Sequence, residues 1–100
     1  MIKHIVMWRL KENALGSPKE ENAAKMIKML SDLKGIVPGL VSIEAGRDFS
    51  NSDKSFDVAL YSEFKTKEAL DAYQIHPEHL KVKDFVSSVV SDRAVVDYEV

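Results

Sequence analysis

IKHIVMWRL (residues 2–10) alternates in the manner of a β-strand that has one buried face. Successive side chains of a strand point to opposite faces, so its even-numbered and odd-numbered residues belong to different surfaces. The even-numbered set is apolar apart from one histidine and consists of Ile2, His4, Val6, Trp8 and Leu10. The odd-numbered set mixes apolar with basic residues and consists of Lys3, Ile5, Met7 and Arg9. We therefore predict the first strand of a sheet, with its even face against a layer of helices.

The segment from Ser17 to Gly35 predicts the first helix. Ser17 and Glu20 stand at capping-box spacing, Pro18 occupies the first helical position, and Gly35 is placed to end the helix. Its apolar stripe consists of Ala23, Met26, Ile27, Leu30 and Leu33. An amphipathic helix of this kind is suited to cover one face of a sheet.

The rest of the chain predicts three strands and two helices. Residues 40–47 and 56–64 alternate as strands and are joined by a polar loop. Thr66 is expected to cap a short helix, Pro77 to begin the next helix, and residues 93–100 to form the last strand. The resulting order βαββαβ predicts a ferredoxin-like α+β fold, in which helices cover one face of a four-stranded antiparallel sheet.

One hundred residues with 45% hydrophobic content suffice for one core, so residues 1–100 are interpreted as a single domain. The second face of the sheet has no helix to cover it, although it is expected to carry Ile5, Met7, Ala59 and Tyr61, with Val41 and Ile43 as further candidates. Because contiguous apolar patches are uncommon on monomers, we predict that two sheets pack face to face in a homodimer. An exposed sheet with scattered apolar residues is the alternative.

Charge and composition argue against several classes of partner. The chain has 14 Lys+Arg and 16 Asp+Glu, for a net charge of -2, so neither nucleic acid nor an acidic membrane is expected as a partner. The lysines of the predicted helices are interpreted as solvated faces. Cysteine is absent, which suits a reducing compartment, and the N-terminal residues lack both a cleavage site and a long apolar run. We expect a cytoplasmic protein without a signal peptide or membrane span.

Residues 73–86, YQIHPEHLKVKDFV, contain two of the three histidines. His76 precedes Pro77, so an extended backbone at the helix N-cap is expected for it. His79 falls at the third helical position and shares the inward side of the helix with Val82. His76 is most simply a helix cap, while a structural role and a site role are equally supported for His79.

His4 lies on the helix-facing side of the first strand and is predicted to converge with His79 on one small cavity, with Tyr73 entering from the preceding helix. A neutral imidazole can remove a proton from an activated carbon, and a tyrosine hydroxyl can hold a developing oxyanion. The helix N-terminus favours neutral His79, because the helix dipole opposes added positive charge. As structural alternatives, His4 is a satisfied core histidine and Tyr73 an amphipathic core residue.

The three histidines lack the spacing of a zinc site, and none of the four glycines forms part of a phosphate-binding loop. No metal and no cofactor are therefore expected. The strand predicted over residues 56–64 also lacks the glycine and aromatic pattern of RNA-binding βαββαβ domains and carries two acidic residues, Asp57 and Glu63. This strand gives a second reason to expect no nucleic-acid partner.

Three segments resemble the stress-responsive A/B barrel domain family, a branch of the dimeric α+β barrel superfamily; they are MIKHIVMWRLK, IVPGLVSIEAGRDFS and ALDAYQIHPEHLKVKDFV. The Y-x-x-H-P-x-H run in the third segment is the most specific part, and the resemblance covers nearly the whole chain. It implies a ferredoxin-like protomer whose sheet pairs with that of a second copy in an eight-stranded barrel. Related branches include polyketide cyclases, cofactor-independent monooxygenases, lactone isomerases and haem-binding enzymes.

The resemblance also implies that Tyr73 and His79 form a catalytic pair. The expected pocket residues are His4, Val6, Trp8, Val58, Leu60, His76 and Val82. Trp8 is bulkier than the small aliphatic side chains of a cyclase pocket, which argues against an aromatic polyketide as the substrate. The leading hypothesis is a homodimeric barrel that binds a small apolar or aromatic ligand and isomerises or cyclises it without a cofactor. A non-catalytic stress or assembly protein and, more weakly, a cofactor-independent monooxygenase or haem-handling protein are the alternatives.

Overall fold

The computed structural model describes residues 1–100 as a four-stranded antiparallel sheet, a short two-stranded hairpin and three helices. The elements in chain order are β1 (Ile2–Leu10), β2 (Asn13–Ala14), β3 (Ser17–Pro18), α1 (Lys19–Ser31), β4 (Leu40–Arg47), β5 (Val58–Phe64), α2 (Lys67–Ile75), α3 (Pro77–Val89) and β6 (Val90–Glu99). The strand order is β4-β5-β1-β6. The predicted ferredoxin-like α+β fold is confirmed. The structure contains no helix with the length and apolar content that crossing a membrane requires.

β1 is a central strand, and it has the two faces that its alternation predicts. All five of its even-numbered side chains are buried, whereas the odd-numbered ones are half-buried or exposed. The even face packs into one apolar cluster with α1; the β1 and α1 members are Ile2, Val6, Trp8, Leu10, Ala23, Met26 and Leu30. Burial of apolar side chains on this one face is the main force that fixes the helices against the sheet.

The N-terminus of α1 differs from the prediction. Ser17 pairs with Ala14 in the β2–β3 hairpin, and Pro18 is the N-cap without a side-chain hydrogen bond. The buried side chain of Asn22 donates instead to the carbonyl oxygens of Ala14 and Ser17, at 3.0 and 3.3 Å. The predicted capping box is therefore wrong, because Ser17 belongs to the hairpin and Asn22 ties that hairpin to the helix.

The N-termini of α2 and α3 lie where their caps were predicted. Thr66 Oγ1 accepts a hydrogen bond from the Ala69 N–H at 3.1 Å. His76 Nδ1 accepts one from the Glu78 N–H, also at 3.1 Å, and Pro77 follows it at the first helical position. His76 is the single residue between α2 and α3. The end of α2 is consequently held next to the first turn of α3.

One residue assigned to the uncovered face of the sheet lies in the core instead. Ile43 is 8% exposed and belongs to the core cluster, whereas Val41 is 43% exposed. The register of β4 against β5 shifts between Leu40 and Ser42. Such an irregularity changes which side chains share a face. The assignment of Ile43 to the uncovered face is therefore wrong.

The face of the sheet opposite the helices, which we call the open face, carries apolar side chains that no element of the chain covers. Across β1 and β6, Ile5 lies opposite Val96 and Met7 opposite Ala94. Met7 is 38% exposed and Val96 is 52% exposed. β6 begins at Val90, earlier than predicted, and so extends this face along the whole length of β1.

Candidate functional site

A cavity of about 280 Å³ lies on the helix-facing side of the sheet and is bounded in large part by α3. Its wall is apolar apart from six polar or basic side chains; the lining residues are His4, Val6, Trp8, Leu30, Leu60, Gln74, His79, Val82, Lys83, Val86, Ser87, Val90 and Arg93. Pockets for drug-sized ligands measure about 300–1,000 Å³. The volume lies just below this range and suits a molecule smaller than a typical drug-sized ligand.

Most of the residues expected in a pocket border this cavity. Those that do are His4, Val6, Trp8, Leu60, His79 and Val82. The other three lie elsewhere: Val58 is buried in the core, His76 caps α3, and Tyr73 packs against the ring of His79. The structure therefore brings His4 and His79 to one cavity, while Val58, His76 and Tyr73 are outside its wall.

The ring of His79 is held in one orientation and one tautomer. Its Nδ1 lies 2.9 Å from the carbonyl oxygen of Tyr73. A carbonyl oxygen can only accept, so Nδ1 carries the hydrogen and Nε2 is left with the free lone pair in the neutral ring. The two rings also stack, with centroids 3.8 Å apart and planes 20° from parallel. Two contacts from Tyr73 thus fix a histidine that borders the cavity.

His79 is uncharged near neutral pH. Burial lowers its pKa from 6.5 to about 4; the hydrogen bond to the Tyr73 carbonyl opposes this shift, and the charges of Lys83, His4 and His76 add to it. Since a protonated imidazole cannot use Nε2 as a base, a low pKa keeps the ring in the form that can accept a proton.

Tyr73 is fully buried at the centre of an aromatic cluster. Its ring centroid lies 5.0 Å from that of Phe64 and 6.2 Å from that of His4. The hydroxyl oxygen is buried and has no hydrogen-bond partner in the protein. Burial raises the pKa of Tyr73, so the hydroxyl stays protonated. A buried hydroxyl without a hydrogen-bond partner lowers the free energy of unfolding.

A family model, the stress responsive A/B barrel domain, matches residues 2–100. The chain belongs to the stress responsive A/B barrel domain family. It is 28% identical over 98 residues to a stress-response A/B barrel domain-containing protein of Arabidopsis thaliana; the match covers 98% of this chain and 46% of that protein. The chain therefore spans less than half the length of this curated relative.

The chain is also similar to a curated plant protein and to a solved bacterial structure. It is 24% identical over 99 residues to olivetolic acid cyclase of Cannabis sativa, which covers 97% of this chain and 94% of the cyclase. A dimeric protein of unknown function and ferredoxin-like fold from Bacteroides fragilis superposes with a TM-score of 0.84 at 29% identity, over 99% of this chain and 95% of that one. The chain is thus similar in sequence to a protein named as a cyclase and similar in fold to a protein described as dimeric.

In this stress responsive A/B barrel chain, the second cavity histidine has a carboxylate partner that the sequence analysis missed. His4 is 2% exposed, and its Nδ1 contacts Oδ1 of Asp97, the residue opposite it in the β1–β6 register. An ionised carboxylate accepts hydrogen bonds, so Nδ1 of His4 is the donor. The only signal in the sequence is the position of Asp97 in a strand that pairs with β1.

Lys83 and Arg93 also border the cavity, and sequence reasoning did not identify them. Lys83 was interpreted as part of a solvated helix face; the structure places it one turn after His79, with Nζ donating to the Gln74 carbonyl oxygen at 3.1 Å. Its spacing of four residues from His79 was the available signal. Arg93 lies opposite Trp8 in the β1–β6 register and therefore shares the helix-facing side of the sheet. No group of three or more His, Cys, Asp or Glu side chains is placed to hold a metal ion.

Proposed function

We propose that this stress responsive A/B barrel protein is a homodimer that binds a small, largely apolar or aromatic carbonyl compound and moves a proton on it without a cofactor. The observation that carries the proposal is His79, an uncharged imidazole of fixed tautomer on the wall of a mainly apolar cavity. The reaction class is an isomerisation or a cyclisation that proceeds through an enolate.

In this mechanism His79 Nε2 takes a proton from the carbon next to the carbonyl group of the ligand. The electron pair of the broken C–H bond moves into the enolate, and the imidazolium then returns the proton to the product. A base with a pKa of about 4 is weak, so the carbon has to be acidified by its own structure. This favours a carbon between two carbonyl groups over a simple ketone.

Tyr73 acts here as a positioning residue. Its carbonyl oxygen holds the Nδ1–H of His79, and its ring fixes the plane of the imidazole. Sequence reasoning expected the hydroxyl to contact the enolate, but Tyr73 is not part of the cavity wall, so we assign it no direct contact with the ligand.

The similarity to olivetolic acid cyclase, which spans most of both chains, supports a catalytic protein. The second candidate is a non-catalytic stress or assembly protein. It is favoured by the same stacking and hydrogen bond, because both contacts join the end of α2 to the first turn of α3 and so also brace the fold.

The test is hydrogen–deuterium exchange at the activated carbon of ethyl benzoylacetate in deuterated buffer, followed by NMR. The wild type is expected to accelerate exchange above the buffer rate. His79→Asn, whose amide nitrogen takes the place of Nδ1 and can still donate to the Tyr73 carbonyl, is expected to lose about 100-fold or more of the protein-dependent rate. His76→Asn is the matched control, since it removes an imidazole of the same segment and keeps a good helix cap. Equal rates for a folded His79→Asn variant and the wild type would overturn the proposal.

Tyr73→Phe is expected to raise the free energy of unfolding by about 1 kcal/mol, because it removes a buried hydroxyl that has no partner. The control is Tyr61→Phe, which removes a hydroxyl that donates to Glu63 at 2.8 Å and is expected to cost about 1 kcal/mol. Urea unfolding at one protein concentration measures both. A loss of stability in Tyr73→Phe would mean that the hydroxyl has a partner, such as a buried water.

The homodimer is expected to form through the open face. Sedimentation of the wild type should give twice the chain mass of 11.3 kDa, and Met7→Asp, which places a charge on that face, should give the mass of one chain. Leu80→Asp is the control, because Leu80 is an exposed apolar residue of α3. A wild type that sediments as a monomer at micromolar concentration would contradict the dimer.

A further inference from the structure

The cavity wall is basic although the chain as a whole is acidic. The net charge of the chain is -2. The wall contains Lys83 and Arg93 but no aspartate or glutamate. Both cations are exposed, whereas the cavity histidines are buried, so the positive charge lies at the solvent side of the cavity.

Arg93 has no anionic partner within the protein. None of the nine ion pairs of the chain includes it. Its neighbour Asp92 pairs with Arg9 instead, at 3.7 Å. A guanidinium carries five N–H donors in a planar fork that matches a carboxylate. At the edge of an apolar cavity, these donors are free for a ligand.

Lys83 also has no carboxylate partner, and it is close to the reacting group. Its single protein hydrogen bond is the one to the Gln74 carbonyl, which leaves the charge of the ammonium uncompensated. Its charge is among the causes of the low pKa of His79. An anion bound near Lys83 would therefore lie near the imidazole as well.

We infer that the cavity takes a small carboxylate, with the apolar or aromatic part of the molecule inside and the carboxylate held at the mouth by Arg93 and Lys83. The inference rests on the proposed function, for which it names the ligand class. Charge-assisted hydrogen bonds are about twice as strong as neutral ones, so an acid binds more tightly than an uncharged molecule of the same shape.

The test compares 4-ethylbenzoate with 4-ethylbenzamide, two molecules of nearly equal shape, by NMR titration of the wild type at low salt and pH 7. The benzoate is expected to bind about tenfold more tightly than the amide. The double variant Lys83→Gln/Arg93→Gln is expected to bring the ratio of the two affinities close to one. The matched control is Lys28→Gln/Lys81→Gln, which removes the same charge from exposed positions outside the cavity and should keep the wild-type ratio.

The possible results separate the inference about the carboxylate from the proposed function. Equal affinities of the wild type for benzoate and amide would overturn the inference and leave the proposed function standing. A preference for benzoate that survives in Lys83→Gln/Arg93→Gln, or that is lost equally in the control, would also overturn it. If neither probe binds, the inference fails, and proton exchange on ethyl benzoylacetate decides the proposed function separately.

Discussion

Replacing Gly39 by alanine is expected to lower the free energy of unfolding by about 2–5 kcal/mol. Gly39 has a φ of +82°, and an added Cβ would lie 2.5 Å from Cβ of Ala69 in α2. The left-handed backbone costs an alanine about 1–2 kcal/mol, and forced overlap in a packed region costs about 1–3 kcal/mol more. Urea unfolding measures the loss. At this point the residue that precedes β4 touches the helix that carries Tyr73.

Gly35 offers a matched control for the two parts of this cost. Its φ is +80°, but an added Cβ would meet no atom within 4 Å. Gly35→Ala is therefore expected to lose only the backbone part, about 1–2 kcal/mol. Adding Ala69→Gly to Gly39→Ala removes the overlapping atom and should recover part of the difference. Equal losses in Gly35→Ala and Gly39→Ala would show that the contact between Gly39 and Ala69 is not tight.

Acidification from pH 6.5 towards pH 4 is expected to remove about 1–3 kcal/mol of stability through His79 alone. Burial lowers the pKa of His79 from 6.5 to about 4 in the folded protein, so the unfolded chain takes up the proton first. The stability that the neutral ring contributes is complete above pH 6.5, the pKa of His79 in the unfolded chain. It is lost as the pH falls to about 4, the pKa in the folded protein. Urea unfolding at a series of pH values gives the profile.

His79→Asn separates this effect from other titrations. Asparagine does not titrate, and its amide nitrogen, in the place of Nδ1, can still donate to the Tyr73 carbonyl. Hydrogen bonds to Asn51 and Lys3 lower the pKa values of Asp48 and Glu63, respectively. The stability that these two carboxylates contribute is lost at still lower pH, and it is lost equally in the wild type and the variant. We expect the wild-type curve to fall more steeply than the variant curve between pH 6.5 and 4. Parallel curves would mean that His79 titrates normally.

Local sequence patterns predicted the faces of β1 and the start of α3. The alternation in β1 gave its two faces, because a central strand has one side against the core and its side chains must alternate. Pro77 fixed the start of α3, and with it the cap at His76 and the inward position of His79. These features depend on neighbours within a few residues, and single-sequence reasoning is strongest there.

The errors arose where distant segments decide the local structure. Ser17 pairs with Ala14, so it was not available as the helix cap that its spacing to Glu20 suggested. Ile43 lies in the core and not on the open face because of the irregularity at the start of β4. No residue type in that strand predicts a shift of register. Both errors come from backbone pairing between segments, which overrides local spacing.

The cavity residues and their partners were only partly predictable for the same reason. His4 and His79 were found from their faces on a strand and a helix. Asp97 and Arg93 belong to the site only because β6 pairs with β1 in one particular register. A register is a property of two strands, and a one-residue slip would turn both side chains to the other face.

The strand order β4-β5-β1-β6 leaves β6 as an outer strand with unpaired backbone groups along one side. Outer strands can recruit further strands and start fibres, and charged side chains discourage this. Four of the ten residues of β6 are charged, three of them acidic; they are Asp92, Arg93, Asp97 and Glu99. Two such strands laid side by side would repel each other. The β6 edge therefore resists sideways growth of the sheet, and a homodimer that pairs two open faces, as proposed above, would leave no open face for a third copy and would end as a closed particle.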